Sequence, residues 1–354
     1  MDAQKMNSAP SSVKLTRHGI KMDFEGKIPF KQRMIMRLTS SSFWIDRVWY
    51  LFRFILLVGI SYVILYPFLS KILMSFMAFQ DFADPTVSLI PKHFSVEIYK
   101  ELAIDKGYLT ILLNTTLLSG LSALIQTFIC CMVGYGLAKF RFKGNKLIFI
   151  FVIITMAIPH STLRYALWRH IESFDLMTIQ FLDWKGFFAL LTGKSLNLGH
   201  SFWPFVVLSL TGLGFKNGLY IFMMRQFFQG VPDELEESAY VDGSGTFRTF
   251  FRIILPLSVP MMITIFLFAF AWQWTDSFYI EMFYPVISSR PPLMPSLISG
   301  IPEALKTTNA AVSAPFYQAV TNTGGLMIIA PLVVVYLFGQ RYLVEGIERS
   351  GITG

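Results

Sequence analysis

Two motifs suggest nucleotide or metal chemistry at first sight, and neither has the spacing that such chemistry requires. Residues 193–195 read Gly-Lys-Ser, like the end of a phosphate-binding loop, but that loop needs a glycine five positions before Gly193, where Phe188 stands. Two histidines and two arginines near Pro159 lack a carboxylate ligand pattern, so we interpret them as the polar end of a helix: His160, Arg164, Arg169 and His170. We therefore predict no catalytic residue, no metal site and no ATP site in this chain.

The segment that ends one apolar stretch has two interpretations, a binding site and an interfacial belt. At 100° per residue, Trp272, Asp276 and Tyr279 share one helical face within about 60°. An aromatic ring can stack on the apolar face of a pyranose while a carboxylate accepts its hydroxyls, which favours a sugar path. The alternative is an aromatic belt at the membrane interface, with Asp276 reaching water. Gln126, inside another apolar stretch, is a second path candidate or a polar contact between helices.

Residues 231–260 form an unusually acidic connection between two apolar stretches. Pro232 suits a first helical position, and the acidic residues that follow offset the positive end of a helix dipole. We therefore predict a short helix over residues 232–241. Gly243 and Gly245 should end it, because glycine enters left-handed geometry without strain. Ser244 or Thr246 is expected to cap a second helix that carries Phe247, Phe250 and Phe251 towards the bilayer.

The composition indicates that the solvent around these elements is a bilayer. Hydrophobic residues make up 54% of the 354-residue chain and charged residues only 15%, against about 25% charged in an average soluble domain. The net charge of +8 could suggest nucleic acid, but nine Lys and Arg lie in residues 1–47, beside an apolar stretch, and no nucleic-acid-binding module follows.

Six apolar stretches are long enough to cross about 30 Å of hydrocarbon. They lie at 54–76, 109–138, 147–167, 202–224, 257–279 and 320–339. We thus predict an all-α polytopic membrane protein with six transmembrane helices. Lys and Arg are about twice as numerous in the loops on the side of both termini, which predicts that both termini are cytoplasmic.

This topology divides the chain into a basic cytoplasmic leader (1–53), a membrane domain (54–340) and a cytoplasmic tail (341–354). Residues 225–256 are then a cytoplasmic loop. Three long outer loops, at 80–108, 168–201 and 281–319, are either contact surfaces for an extracytoplasmic partner or variable caps.

The cytoplasmic loop resembles one shared by permease subunits of prokaryotic, binding-protein-dependent ABC importers. Their pattern is Glu-Ala-Ala, three residues, Gly, nine residues, Ile, one residue, Leu-Pro. This chain has Glu237-Ser238-Ala239, Gly243, Ile253 and Leu255-Pro256, so every interval fits and Ser238 is the one departure. The start of the second stretch at Asn114, the GLAKFRFKGNK loop and the ending QRYLVEGIERSGITG are similar to the carbohydrate-uptake (MalG-like) group. The leader and residues 171–201 exceed that pattern.

The resemblance implies the MetI-like ABC importer permease fold in a prokaryotic inner membrane. It also implies that the short helix is a coupling helix that docks on a cytoplasmic ATPase. Glu237 would meet a basic partner, and Ser238 and Ala239 would keep the contact surface flat. The residues implied in coupling are Glu236, Glu237, Ser238, Ala239, Gly243, Ile253, Leu255 and Pro256.

The partners implied by the resemblance are a second homologous permease, two ATPase subunits that bind ATP and Mg, an extracytoplasmic solute-binding protein and a sugar or oligosaccharide. The chain itself would bind no cofactor. Importers of other solutes, such as a polyamine or oligopeptide, remain alternatives. A proton-coupled carrier is disfavoured because no carboxylate relay lies in the middle of the stretches.

Overall fold

The computed structural model describes residues 14–16, 19–21, 41–175, 186–214, 216–285, 291–308 and 314–349. Contacts between Cα atoms divide the chain into two units, Met1–Leu69 and Ser70–Gly354. The first unit holds an antiparallel pair of short strands, β1 (Lys14–Thr16) and β2 (Gly19–Lys21), with Lys14 opposite Lys21. The sequence did not predict these strands; every other regular element of the described residues is helical.

The longest helices coincide with the apolar stretches. Four exceed 19 residues: α1 (Ser41–Met74), α3 (Tyr108–Lys139), α11 (Leu255–Trp274) and α14 (Ala314–Arg349). The shorter helices are α2 (Glu97–Asp105), α4 (Asn145–Ala157), α5 (Arg164–Glu172), α6 (Phe187–Thr192), α7 (Trp203–Leu210), α8 (Asn217–Gln229), α9 (Glu234–Val241), α10 (Thr246–Thr249), α12 (Phe278–Phe283) and α13 (Glu303–Thr308). Single 3₁₀ turns cover Phe79–Phe82, His160–Leu163 and Met294–Ile298.

Four helical segments in the described residues are long and apolar enough to cross a membrane. They are Trp44–Met74, Tyr108–Lys139, Thr246–Trp274 and Ala314–Val344, and they match the first, second, fifth and sixth predicted stretches. The third predicted stretch falls on Asn145–Ala157 and His160–Glu172, a pair of helices bent by 98°, which gives a fifth crossing if the pair is counted as one. The structure thus shows a polytopic helical protein with four to five candidate spans.

The fourth predicted stretch, 202–224, is interrupted. Helix α7 ends at Leu210 and α8 begins only at Asn217. Gly212 and Lys216 between them have φ of +73° and +65°, values that no α-helix contains. Neither α7 nor α8 is long enough to cross a bilayer alone, and this is why the expected six spans are reduced.

The fifth predicted stretch, 257–279, also ends early. Helix α11 stops at Trp274, and a new helix, α12, starts at Phe278. Asp276 lies in the break, where its Oδ1 accepts a hydrogen bond of 3.1 Å from the Tyr279 N–H in the first turn of α12. A carboxylate so placed stabilises the start of a helix, so the chain turns here instead of continuing.

The core of the second unit forms where α3, α8 and α11 pack together. Its buried members include Cys130, Tyr220, Met224 and Ile265. Small residues set the close approach: a β-carbon on Gly134 of α3 would lie 2.5 Å from the Met224 Cβ of α8. Close packing of this kind is the main attraction between helices in a membrane, where lipid removes the hydrophobic drive for helix association.

Candidate functional site

The predicted coupling helix is present as α9, and its start differs from the prediction. Pro232 was expected at a first helical position, but the helix begins at Glu234 with Asp233 as its N-cap. The Asp233 carbonyl accepts hydrogen bonds of 3.0 Å from the N–H groups of Glu236 and Glu237. Carboxylates still fill the first turn, where they offset the positive end of the helix dipole.

The end of α9 is formed by a left-handed glycine, as predicted. Gly243 has φ of +77°. Its N–H donates to the Tyr240 carbonyl at 3.0 Å, and the Ser244 N–H donates to the Ala239 carbonyl at 2.9 Å. These two bonds are the Schellman arrangement, which satisfies helix-end carbonyls and turns the chain sharply. Gly243 therefore ends the helix by a defined geometry and is not merely a flexible link.

The element after Gly243 corrects the second prediction about this loop. Gly245, not Ser244 or Thr246, is the N-cap of α10, and no side chain makes a capping hydrogen bond there. Helix α10 continues through a π-helical turn, Phe250–Ile254, into α11. The buried Phe250 and Ile254 join the main core, and the motif residues Ile253 and Leu255 pack half-buried against it. Pro256 is exposed in the first turn of α11, so the motif ends inside a membrane helix.

An ionic cluster ties α9 to the last turn of α3. The Lys139 ammonium donates to the Val231 carbonyl at 2.6 Å and to the Asp233 carboxylate, and it lies 3.8 Å from Glu236 Oε1. Tyr135, one turn earlier in α3, donates its hydroxyl proton to Glu236 Oε2 at 3.2 Å. The Lys139 side chain is 7% exposed. We call Tyr135, Lys139, Asp233 and Glu236 the α9 anchor. The hydrogen bond from Lys139 and the positive charge of its ammonium lower the pKa of the exposed Asp233 carboxyl.

The motif residues of α9 thus point in two directions. Glu236 and Ala239 are buried against the chain itself, whereas Glu237 and Ser238 are exposed. The expectation that Ala239 would form part of a flat docking surface is wrong, because its side chain is covered by neighbouring residues. The exposed surface of α9 is instead made by residues such as Glu237, Ser238 and Val241.

Trp272, Asp276 and Tyr279 do not share one helical face as predicted, because α11 ends at Trp274, before Asp276. Tyr279 and Gln126 are buried, and both line cavities. Trp272 is 45% exposed, and the Lys216 ammonium lies 4.9 Å from the centre of its ring. The Asp276 carboxylate accepts from the Tyr279 N–H and, at 3.4 Å, from the Gln273 amide. Both of its oxygens are therefore engaged within the chain.

A cavity of about 650 Å³ lies beside the interruption of the fourth stretch. Its walls come from the bend between α4 and α5, from residues 212–214 and 216–219, and from Phe278 and Tyr279. A much smaller cavity adjoins it and shares Gly214 and Tyr279. We refer to the two together as the polar chamber. Its polar side chains are Thr155, His160, Ser161, Lys216, Asn217 and Tyr279 in the larger cavity and Gln126, Ser209 and Gln273 in the smaller.

Hydrogen bonds hold part of the polar chamber in place. The Tyr279 hydroxyl and His160 Nδ1 are 2.8 Å apart, and Gln126 donates its amide proton to the Ser209 hydroxyl at 3.2 Å. Asn217 differs from these groups. It is 1% exposed, and neither Oδ1 nor Nδ2 has a hydrogen-bond partner among the described residues. A buried amide with both ends unpaired is costly and rare in folded proteins.

Sequence reasoning missed most of these residues. His160 was interpreted only as part of a helix end, and Asn217, Ser209 and Gln273 were not considered. One signal was available: Lys216 falls inside a predicted apolar stretch, where an ionisable side chain is a functional-site hypothesis by default. The glycines at 212 and 214 beside it also indicate a break in the helix.

Two further expectations concern nucleotides and metals. Gly193 ends α6, with φ of +75° and its N–H donating to the Ala189 carbonyl, whereas a phosphate-binding loop must precede a helix. Across the part of the chain that the structure describes, no cluster of three or more His, Cys, Asp or Glu is arranged to hold a metal ion.

Comparisons with known proteins agree on the class of this chain. Residues 131–349 match the family model described as "Binding-protein-dependent transport system inner membrane component". The chain is 25% identical over 316 residues to the "Probable ABC transporter permease protein YurM" of Bacillus subtilis, covering 87% of this chain and 91% of that protein. It is 26% identical over 310 residues to the "Galactooligosaccharides transport system permease protein GanQ" of the same organism, with coverages of 86% and 95%.

Solved structures give the same fold. A chain in the "Crystal structure of a bacterial ABC transporter involved in the import of the acidic polysaccharide alginate" superposes with a TM-score of 0.61 at 22% sequence identity. The match covers 86% of this chain and 98% of that one.

Proposed function

The chain belongs to the binding-protein-dependent transport system inner membrane components and is a permease subunit of an ABC importer, with no ATPase site of its own, and from this premise we propose that it passes a sugar or oligosaccharide. Relatives of similar length carry names that specify oligosaccharides, among them the permease GanQ. The polar chamber supports the proposal physically. Its amides and hydroxyls both donate and accept hydrogen bonds, as sugar hydroxyls do, and the Tyr279 ring offers an apolar surface.

In this proposal the path residues have different roles. Tyr279 and Gln126 line the path directly. Asp276 acts through Tyr279, because its carboxylate accepts from the first turn of α12 and so fixes where that ring lies. Trp272 acts through Lys216, whose ammonium lies over its ring.

The proposed topology has six crossings with both termini in the cytoplasm. The bent pair Asn145–Ala157 and His160–Glu172 would be the third crossing. Helices α7 and α8 together would form the fourth, since a broken span is tolerated where its backbone lines a cavity, as residues 212–214 do. Residues 1–53 would be the cytoplasmic leader, 54–340 the membrane domain and 341–354 the cytoplasmic tail.

The proposed partners are a second permease, two ATPase subunits that bind ATP and Mg, and an extracytoplasmic solute-binding protein at the loops 80–108, 168–201 and 281–319. Helix α9 would dock on an ATPase through its exposed residues Glu237 and Ser238. The α9 anchor would pass motion of the ATPase into α3, and the joint at Gly243 would pass it through α10 into α11.

The arrangement of α9 is the observation that supports this proposal. Glu236 accepts a hydrogen bond from Tyr135 of α3, while Glu237, the next residue, is exposed. Backbone hydrogen bonds at Gly243 and Ser244 fix the end of the helix. The test is uptake of radiolabelled galacto-oligosaccharides in cells that express the complete transporter, with co-purification of the ATPase. We expect Glu237→Lys to abolish uptake and ATPase co-purification, because it sets a positive charge against a basic partner.

Asp46→Lys is the matched control, since Asp46 is also an exposed carboxylate near the start of a helix, α1, and lies in none of the loops proposed to bind a partner. It should leave uptake and co-purification unchanged. Normal uptake in Glu237→Lys, or uptake by a lone chain without an ATPase, would contradict the coupling role. Uptake of a polyamine or an oligopeptide without any sugar would contradict the substrate class.

A further inference from the structure

The break between α7 and α8 places the start of a helix in the wall of the polar chamber. Residues 216–219, the N-cap and first turn of the 13-residue helix α8, line the larger cavity together with residues 212–214. First-turn N–H groups have no acceptor within their own helix, and they carry the positive end of its dipole. In transporters, broken membrane helices direct such ends towards anionic groups of the substrate.

Asn217 gives independent evidence that a ligand group belongs at this position. Its side-chain amide is buried in the cavity wall, and both of its polar atoms lack a partner among the described residues. A β-carbon on Gly214 would lie 3.2 Å from both Asn217 Nδ2 and Gln126 Nε2, so the two amides meet at the glycine that the cavities share. Any larger residue at 214 would crowd them. The Asn217 amide therefore offers an unused donor and acceptor to a group that enters from the chamber.

Lys216 is the one lysine, arginine or carboxylate side chain among the described residues that line the larger cavity. The Asp276 carboxylate, beside Tyr279 of the wall, accepts hydrogen bonds from Tyr279 and Gln273. Lys216 adopts a left-handed φ of +65°, which is strained for a residue with a β-carbon. Such strain persists where the surrounding structure requires it, and functional sites are where it accumulates.

We infer that the start of α8, with Lys216 and Asn217, binds the carboxylate of an acidic sugar. The inference rests on the proposed function and specifies its substrate as an oligosaccharide with a uronic acid unit. The Lys216 ammonium and the N–H groups of Gly218 and Leu219 would pair with the carboxylate, because the Asn217 N–H already donates to the Gly214 carbonyl at 3.1 Å. The side-chain amide of Asn217 would bind an adjacent hydroxyl. The wall also includes the apolar side chains of Met156, Ile158, Leu163 and Leu167, which suit the apolar face of a pyranose.

The test compares two disaccharides of equal size, digalacturonate and the neutral digalactose, in proteoliposomes that contain the complete transporter. Lys216→Gln should raise the KM for digalacturonate about tenfold, as expected for the loss of one charge-assisted hydrogen bond, and change that for digalactose less than twofold. Lys143→Gln is the control, because Lys143 is an exposed lysine between α3 and α4 that lines neither cavity of the chamber. An equal effect of Lys216→Gln on both sugars, or no effect on either, would overturn the inference.

A second variant separates binding from folding. Asn217→Leu removes an unpaired buried amide and keeps the side chain's size, so its thermal midpoint should equal or exceed that of the wild type. Uptake of digalacturonate should nevertheless fall. A lower midpoint with unchanged uptake would show that Asn217 is paired within the folded chain, and the site would be refuted.

A comparison of lipid compositions and measurements on the wild-type transporter complete the test. A lipid phosphate has similar chemistry, so vesicles of phosphatidylcholine alone are compared with vesicles that also contain phosphatidylglycerol. If the Lys216→Gln effect disappears without phosphatidylglycerol, the site binds a headgroup and the inference is wrong. Wild-type uptake of digalactose but not digalacturonate would overturn the inference and leave the proposed function standing. If the wild type takes up neither disaccharide but does take up a solute that is not a sugar, both the inference and the proposed function are overturned.

Discussion

The α9 anchor and the polar chamber both bury polar side chains, and they differ in how those side chains are paired. In the anchor, Lys139 donates to one carbonyl and one carboxylate and Tyr135 donates to Glu236 Oε2. Glu236 Oε1 makes no hydrogen bond among the described residues, but the Lys139 ammonium lies 3.8 Å from it. In the chamber, Asn217 has no partner among the described residues, and Lys216 is held over an aromatic ring in a strained conformation.

We propose that this difference separates an element that transmits motion from one that receives a ligand. A paired buried cluster fixes one geometry, because breaking any contact leaves a charge uncompensated. An unpaired buried group favours ligand binding instead, because a ligand that supplies the missing hydrogen-bond partner gains an interaction that the folded chain does not make. The two regions are connected through α3, α8 and α11, which pack into one core. Movement of α9 can therefore reach the chamber through rigid helices.

The largest expected effect is on the anchor. Lys139→Met leaves the buried Glu236 uncompensated and should lower the free energy of unfolding by about 3–5 kcal/mol, the usual cost of breaking a buried ion pair. The measurement is unfolding of the purified chain in detergent, followed by tryptophan fluorescence. Lys143→Met, which alters an exposed lysine in the next loop, is the matched control and should be nearly neutral.

The double variant Lys139→Met/Glu236→Met sharpens this prediction. Because both charges are then removed together, much of the lost stability should return. If Lys139→Met proves no more destabilising than Lys143→Met, the anchor is not a paired structural cluster and the contrast with the chamber fails.

An intermediate effect is expected at Asp276, where the sequence and the structure suggest different roles. The structure shows its carboxylate accepting from Tyr279 and Gln273, so Asp276→Ala should cost about 1–3 kcal/mol in stability by leaving buried donors unpaired. Uptake of digalactose and digalacturonate should then fall by the same factor. Asp276→Asn retains the Oδ1 acceptor and should recover most of the loss. Unequal effects on the two sugars at full stability would instead show that the carboxylate contacts the substrate.

The smallest effect is expected at the end of α9. Gly243 has φ of +77° and open space where a β-carbon would be, so Gly243→Ala introduces only backbone strain, about 1–2 kcal/mol. Gly245→Ala is the control two residues away: it also has open space, but its φ of −80° suits any residue. Thermal midpoints should fall for Gly243→Ala and not for Gly245→Ala. Equal midpoints would mean that the turn can relax without glycine.

The sequence alone determined those features that depend on local chemistry. Long apolar runs predicted the helices now seen as α1, α3, α11 and α14, because hydropathy and length suffice to define a membrane helix. The helix start and stop in the loop at residues 225–256 could also be predicted from the sequence. An acidic helix start and a glycine stop are contacts between residues a few positions apart, so they appear in the sequence as spacing. The resemblance to the permease family, confirmed by the family model, rests on the same short intervals.

The tertiary structure decided which polar residues meet. Lys139 and Glu236 are 97 positions apart, and His160 and Tyr279 are 119 apart. No periodicity in one helix can show such pairs, because they depend on how separate helices pack. The breaks at 211–216 and at Asp276 were hidden for a related reason: mean hydropathy stays high across a short interruption. The side chain that caps α12 and the glycines that line the cavity become visible only when the surrounding helices are in place.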